Sequence, residues 1–151
     1  MATPARKLIL DNIGTVLNTI TTANGYKTDV TKVQALARGY ADVKTGERPF
    51  LGYVPELETV EYLPFNHIRC TLTVRIIGHV SGQSQNDRST KLNNLIDDII
   101  AAVNLDPTRG TNAINTKMGQ FQTDEGDPDG RGDGSVLTTL SIVYERSTSS
   151  T

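Results

Sequence analysis

Residues 124–134 carry the side chains best suited to bind a ligand or a partner. Aspartates alternate with glycines from Asp127 to Gly134, and calcium prefers several oxygen ligands on a tightly turning backbone. A complete EF-hand loop also needs a bidentate glutamate at its twelfth position, and counting from Asp127 places Thr138 there. The ligand set is therefore incomplete, and we predict no metal site. A small calcium-dependent binding module that uses residues 127–133 is kept as an alternative.

The same segment is predicted to be an acidic hairpin tip that contacts partners. Its glycines raise the entropy of the free loop, so contacts made on binding must compensate the cost of ordering it. We expect electrostatic complementarity to contribute more to those contacts than apolar burial does. The interaction residues of this hypothesis are Asp124, Glu125, Asp127, Asp129, Arg131 and Asp133.

The remaining reactive side chains form no recognisable catalytic pattern. Cys70 is the single cysteine, so it excludes an intrachain disulfide, and its position predicts a buried strand residue. His67 and His79 flank the same segment without a third ligand at zinc spacing. Asp97 and Asp98 are neighbours on a predicted helix and point about 100° apart, which fits exposed carboxylates better than an acid/base pair. We predict no enzyme activity, no catalytic residue and no cofactor.

The composition indicates one domain with a mixed surface. The 151 residues are 36% hydrophobic and carry 15 Lys and Arg against 17 Asp and Glu. This near-neutral balance argues against a specific nucleic-acid binder, and no apolar run approaches the roughly 18 residues of a membrane span. The first 48 residues lean basic and residues 121–134 lean acidic, a separation that suits head-to-tail self-association.

Two amphipathic helices are predicted. The first spans residues 4–22, with Pro4 at the first helical position and Gly25 as a left-handed C-cap. The second is capped by Asp87 or Ser89 and ends before Pro107. The apolar stripes are Ile9, Ile13, Val16, Leu17 and Ile20 in the first helix, and Leu92, Leu95, Ile96, Ile99, Ile100 and Val103 in the second.

A long strand over residues 67–80 is the clearest β prediction. Its apolar positions are Ile68, Cys70, Leu72, Val74 and Ile76, alternating with Arg69, Thr71, Thr73 and Arg75. The polar face is expected to be either solvated or covered by another subunit. Short strands are predicted at 26–33 and at 50–54, the latter closed by Pro55, with a polar connection that contains Glu56, Glu58 and Glu61. Residues 81–89 are expected to be a loop.

A terminal hairpin completes the predicted order of elements. Its strands are 113–123 and 136–145, with residues 124–135 as a long tip. The chain is thus predicted to be a single α+β domain over residues 1–146. Residues 147–151 are expected to form a disordered tail.

Several of these patterns together carry a family resemblance. They are the first helix ending in Asn24-Gly25-Tyr26 with residues 28–30 after it, segment 49–54, the long alternating strand, the second helix from Leu92 to Ala102, and a last strand closing on Val143-Tyr144-Glu145. In order and spacing they resemble the tail terminator proteins of tailed bacteriophages, over roughly residues 5–146. These neck proteins cap the tail tube.

The resemblance implies a mixed, mostly antiparallel sheet with two main helices packed on one face. It also implies a homohexameric ring that stacks on the last ring of tail tube protein, stops tube growth and contacts the head-tail connector. Such a protein would assemble in the host bacterial cytoplasm and end in the neck of the virion, without a membrane partner. The segment from Asp127 to Gly134 has no counterpart in the family. A different phage neck or tail-completion protein is the second alternative.

Overall fold

A single sheet and two helices make up the described parts of the chain. The protein is represented by a computed structural model that describes residues 4–35, 43–126 and 132–148. In chain order the elements are α1 (Ala5–Leu17), β1 (Lys32–Gln34), β2 (Phe50–Leu63), β3 (His67–Gly82), α2 (Gln85–Asn104), β4 (Asn115–Asp124) and β5 (Gly132–Ser147). The expected α+β class is confirmed. Within these residues no helix is both long and apolar enough to cross a bilayer.

The sheet is mixed and mostly antiparallel, as expected. Its strand order is β1-β2-β3-β5-β4. Only the short β1 runs parallel to its neighbour β2, and the other three pairings are antiparallel. The predicted long strand, β3, lies in the centre and pairs with both β2 and β5. The strand predicted over 26–33 is mostly wrong, because β1 spans only Lys32–Gln34 and shares two residues with that range.

Both helices pack on the same face of this sheet. On that face the β3 residues Leu72 and Val74 are fully buried, opposite the equally buried Ile142 and Leu140 of β5. The apolar stripes of the helices belong to the same cluster: Ile9, Ile13 and Leu17 from α1, and Leu92, Leu95, Ile99 and Val103 from α2. Each such side chain contributes roughly 1.5–3 kcal/mol on burial, before the entropic cost of ordering it. The opposite side of the sheet is called the open face below.

α1 is shorter than its apolar pattern predicted. The helix ends at Leu17, and Gly25 is left-handed at φ 91° but closes a separate 3-10 turn over Thr22–Asn24. Near the helix end the Asn18 amide donates to Gly14 O and the Thr19 hydroxyl donates to Val16 O. Side chains that bond to nearby backbone in this way compete with helix continuation.

α2 begins earlier than predicted. Ser84 is its N-cap, and the Ser84 Oγ accepts a hydrogen bond of 3.1 Å from the Asp87 N–H. β3 continues to Gly82, so only residues 83 and 84 connect the two elements and the predicted loop over 81–89 is wrong. Ile100 was expected in the apolar stripe but is 38% exposed.

β2 is far longer than the predicted strand that ended at Pro55. It continues to Leu63 through a shift of register between Pro55 and Leu57. A bulge on an edge strand accommodates proline, because the missing N–H then breaks no ladder. Glu56, Glu58 and Glu61 accordingly lie in the strand and not in a polar connection.

The predicted disordered tail, residues 147–151, is ordered at its first two residues. Ser147 is the last residue of β5, and the Thr148 N–H donates to Asn66 O at 2.8 Å. The predicted tail therefore began too early, because the β3–β5 ladder extends to the His67–Ser147 pair. The rest of that tail, residues 149–151, lies outside the described residues.

We predict that Gly78→Ala destabilises the protein by about 1–3 kcal/mol, the usual cost of overpacking a core. A Cβ at Gly78 would lie 2.8 Å from Leu95 Cδ2 and 2.9 Å from Val136 Cγ1, so α2 could no longer approach β3. Urea unfolding measures the effect. Gly46→Ala is the matched control, since a Cβ there meets nothing within 4 Å. Equal unfolding midpoints for the two variants would contradict this account of helix packing.

Candidate assembly surfaces

The hairpin formed by the far ends of β2 and β3 exposes apolar side chains; we call residues 57–70 the arm. Along the helix-facing side of β2, Leu51 is fully buried, whereas Val60 is 49% exposed and Tyr62 is 82% exposed. The helices therefore cover only the near half of the hairpin. On the open face of the same strand Leu57 is 60% exposed. Apolar surface concentrated on one projecting element is typical of an interaction site.

The tip of the arm is held in an unfavourable backbone conformation. Phe65 and Asn66 have φ values of 63° and 59°, and a bulky residue such as phenylalanine rarely adopts positive φ. The Phe65 side chain is 95% exposed, so no intramolecular packing offsets that strain. The turn is tied to the end of β5 by the Thr148 N–H and hydroxyl, which both donate to Asn66 O. An exposed aromatic in this position is better explained by a contact outside the chain.

The root of the arm is fixed to the core by a tyrosine–carboxylate contact. The Tyr144 hydroxyl donates to Glu58 Oε1 at 2.7 Å, and Arg6 Nε lies 3.6 Å from the same oxygen. Burial raises the pKa of the Tyr144 hydroxyl, and the hydrogen bond to Glu58 raises it further. The arm is thereby attached to β5 and to the start of α1.

From Arg69 to Arg75 the β3 residues of the open face are polar, and neither α1 nor α2 packs on this face. Arg69 pairs with Glu145 across the β3–β5 ladder at 3.0 Å, and Arg75 lies 3.9 Å from Glu56. These exposed pairs contribute little to stability. The structure supports the polar face predicted for the long strand.

More of the acidic segment belongs to strands than the sequence indicated. Asp124 is the last residue of β4, and Asp133 lies within β5. The Asp133 carboxylate accepts from Arg48 Nη1 and pairs with that cation. The predicted tip over 124–135 is thus too long, because residues 132–134 pair with the extended end of β3. Asp127, Asp129 and Arg131 lie outside the described residues.

Two arginines anchor this segment, and sequence reasoning missed both. Arg88 is fully buried, and its guanidinium donates to Glu125 O at 2.6 Å and to Gly82 O at 3.1 Å. The Arg48 side chain is 6% exposed beside Asp133. Arg88 precedes Leu92 by four residues, so its place on the buried stripe of α2 was a readable signal. The Arg48–Asp133 contact joins residues that are 85 positions apart, so no local sequence pattern predicts it.

The cysteine and the two histidines lie at separate positions along β3. Cys70 is buried, as predicted, and His67 is exposed at the start of β3. His79 is buried beside Phe50, with ring centroids 5.8 Å apart. Within the described ranges, no group of three or more His, Cys, Asp or Glu side chains could hold a metal ion.

The aspartate pair on α2 divides into two environments. Asp97 is exposed and pairs with Lys27 Nζ at 2.8 Å. Asp98 is 3% exposed and accepts from the Lys27 N–H at 3.0 Å, so the expectation that both are exposed is wrong for Asp98. The hydrogen bond and the charge of Asp97 raise the pKa of Lys27. Both carboxylates therefore attach the loop after α1 to α2.

Comparison with known proteins adds no assignment. No protein-family model matches the chain, and no curated protein sequence matches it.

We predict that Tyr144→Phe costs about 1 kcal/mol at neutral pH through loss of the hydrogen bond to Glu58. The raised pKa of Tyr144 adds a pH dependence. Its stabilisation is complete below the ordinary tyrosine pKa of 10.0 and is lost as pH rises through the higher folded-state pKa. The difference in unfolding free energy between parent and variant should therefore shrink above pH 10. Urea unfolding across a pH series measures it.

Tyr62→Phe is the control, because it removes a hydroxyl from a side chain that is 82% exposed. Its unfolding free energy should match that of the parent. A Tyr144→Phe variant as stable as the parent at neutral pH would contradict the anchoring of the arm.

Proposed function

We propose that this chain is a structural virion protein that caps the end of a bacteriophage tail tube as a ring. The observation that carries the proposal is the arm, an ordered hairpin with Tyr62 and Phe65 almost fully exposed at its end. The resemblance of the sequence to tail terminator proteins supports the choice of this kind of assembly. The α+β fold, with both helices on one face of a mostly antiparallel sheet, is consistent with that resemblance.

The energetics of the arm favour a role in assembly. Burying Leu57, Val60, Tyr62 and Phe65 in an interface would contribute roughly 1.5–3 kcal/mol for each side chain, before the cost of association. The hairpin is already ordered by its ladder and by the Tyr144–Glu58 contact. Less conformational entropy is therefore lost when it binds.

In this proposal six subunits form the ring, which stops tube polymerisation and joins the tail to the head connector. The partners are further copies of the chain, the tail tube protein and the connector proteins. The site of action is the neck of the virion. If the chain instead binds connector rings and leaves tube ends uncapped, the rival assignment as another neck or tail-completion protein replaces this one.

We predict that the protein forms rings, alone or on the ends of tubes built from its cognate tail tube protein. Tyr62→Ser combined with Phe65→Ser should reduce ring formation and capping at least tenfold, because about 1.4 kcal/mol of lost interface energy has that effect. Negative-stain microscopy and sedimentation measure the outcome. Leu105→Ser is the matched control, since Leu105 is 78% exposed but lies at the end of α2. A strict monomer that binds no tube would refute the proposal.

We predict that the acidic segment strengthens assembly through charge. Asp127→Asn combined with Asp129→Asn should weaken tube capping most at low salt, and the difference from the parent should shrink at high salt, where charge contacts are screened. Capping is scored across a salt series. Asp97→Asn, which removes an exposed carboxylate on α2, is the control. Unchanged capping by the double variant would reduce this segment to a surface turn.

We predict no strong calcium dependence. Asp133 is already paired with Arg48, which removes one oxygen ligand from the set that the alternative binding module needs. Thermal melting with and without micromolar calcium checks this. A sharp rise in melting temperature that Asp129→Ala abolishes would favour the calcium-dependent module instead.

A further inference from the structure

Both outer edges of the sheet carry unpaired backbone in the described residues. β1 covers β2 only at the pairs from Lys32↔Phe50 to Gln34↔Gly52. Beyond the bulge, residues 57–63 of β2 therefore have a strand partner on one side alone, β3. β4 forms the opposite edge, with β5 as its single partner over Asn115–Asp124. Open edges of this length are templates for pairing with another chain.

The two edges have the polarity needed to join identical subunits. β2 is antiparallel to β3, β3 to β5, and β5 to β4. It follows that β2 and β4 run in opposite directions within the sheet. Two copies set side by side in the same orientation therefore bring β4 of one copy beside β2 of the next as an antiparallel pair. The sheet would continue from subunit to subunit with regular antiparallel hydrogen bonding.

The charges favour this joint between β4 of one copy and β2 of the next over a two-fold interface between two β2 edges. β2 carries Glu56, Glu58 and Glu61 and no cation, so pairing two β2 edges would oppose like charges. β4 carries Lys117 near its start and Asp124 at its end, and Lys117 is exposed and forms no ion pair within residues 4–35, 43–126 and 132–148. A β2 edge is thus complementary to a β4 edge and repels a second β2 edge.

The register of the sheet places this lysine level with Leu57, between Glu56 and Glu58. Lys117 pairs with Ser141, Ser141 with Thr73, and Thr73 with Leu57. In an unstaggered joint Lys117 of one copy lies level with Leu57 of the next, beside the exposed Glu56. A stagger toward the arm would bring Lys117 to Thr59 or Glu61, which share the open face with Leu57.

We propose that the β4 edge of one copy adds as an antiparallel strand to residues 57–63 of β2 in the next copy. The inference deepens the proposed ring function and rests on it for the closure of the assembly. Because β2 and β4 are unlike surfaces, the interface is heterologous, and repeated use around a rotation axis closes a ring. The arm then supplies backbone hydrogen bonds as well as apolar contact, the two components of strand addition.

Disulfide trapping tests the joint. One chain carries Lys117→Cys. A second full-length chain, made longer by a terminal tag so that heterodimer and homodimers separate by size, carries Leu57→Cys, Thr59→Cys or Glu61→Cys. Cβ atoms of directly opposed strand residues lie about 4.5–5.5 Å apart, close enough for a disulfide after small shifts. The full-length chains are mixed, alone and with tubes, oxidised, and separated without reductant. Every variant also contains the buried Cys70, so cross-linking through Cys70 contributes equally to all mixtures and sets the background.

The expected result is a heterodimer band from at least one of the three mixtures, about tenfold above the homodimer of either single variant, as a head-to-tail interface requires. Thr90→Cys mixed with Lys117→Cys is the control, because Thr90 is exposed on α2. Heterodimer at control level in all three mixtures overturns the inference, and so does efficient self-linking of a β2 variant. Trapped heterodimers without tube capping would refute the proposed function alone; capping without heterodimers would refute the inference alone.

Discussion

The arrangement depends on the double pairing of one central strand. β3 hydrogen-bonds to β2 over its first thirteen residues and to β5 over all sixteen, and one of its faces contributes Cys70, Leu72, Val74, Ile76 and Val80 to the core. A one-residue slip in either ladder would turn that apolar face away from both helices. Register is therefore fixed by core burial, and the positions of the arm, the acidic segment and both sheet edges follow from it.

This strand is longer than the helical layer that covers it, and the surplus defines the candidate assembly surfaces. Gly78 lies close to Leu95 of α2 and Leu51 is fully buried, whereas Tyr62 and Phe65 at the other end are exposed to solvent. The molecule thus combines a packed half that stabilises the fold with an ordered, apolar half that a monomer leaves uncovered. Such a division suits a protein whose remaining burial occurs on assembly.

Sequence reasoning recovered the elements whose own periodicity carries the signal. The alternation in β3 and the apolar stripe of α2 were readable because the partners lie at fixed local spacing. The predicted ends of elements were wrong where a side chain hydrogen-bonds to nearby backbone, as at the Ser84 cap. They were also wrong where a bulge accommodates Pro55 within a strand. Contacts between distant segments were not readable. The buried Arg88 and the Arg48–Asp133 pair convert much of a supposed free acidic loop into anchored structure.

In the proposed assembly this sheet extends between subunits through its two edges. Amide hydrogen exchange of the free and the ring-assembled chain tests it most directly, because strand addition protects unpaired edge amides. Protection should rise in residues 57–63 and 115–124 together, while the amides of β3, which are paired on both sides, should change little. Assembly that leaves both edges exchanging as in the free chain, with new protection confined to the helices, would contradict it.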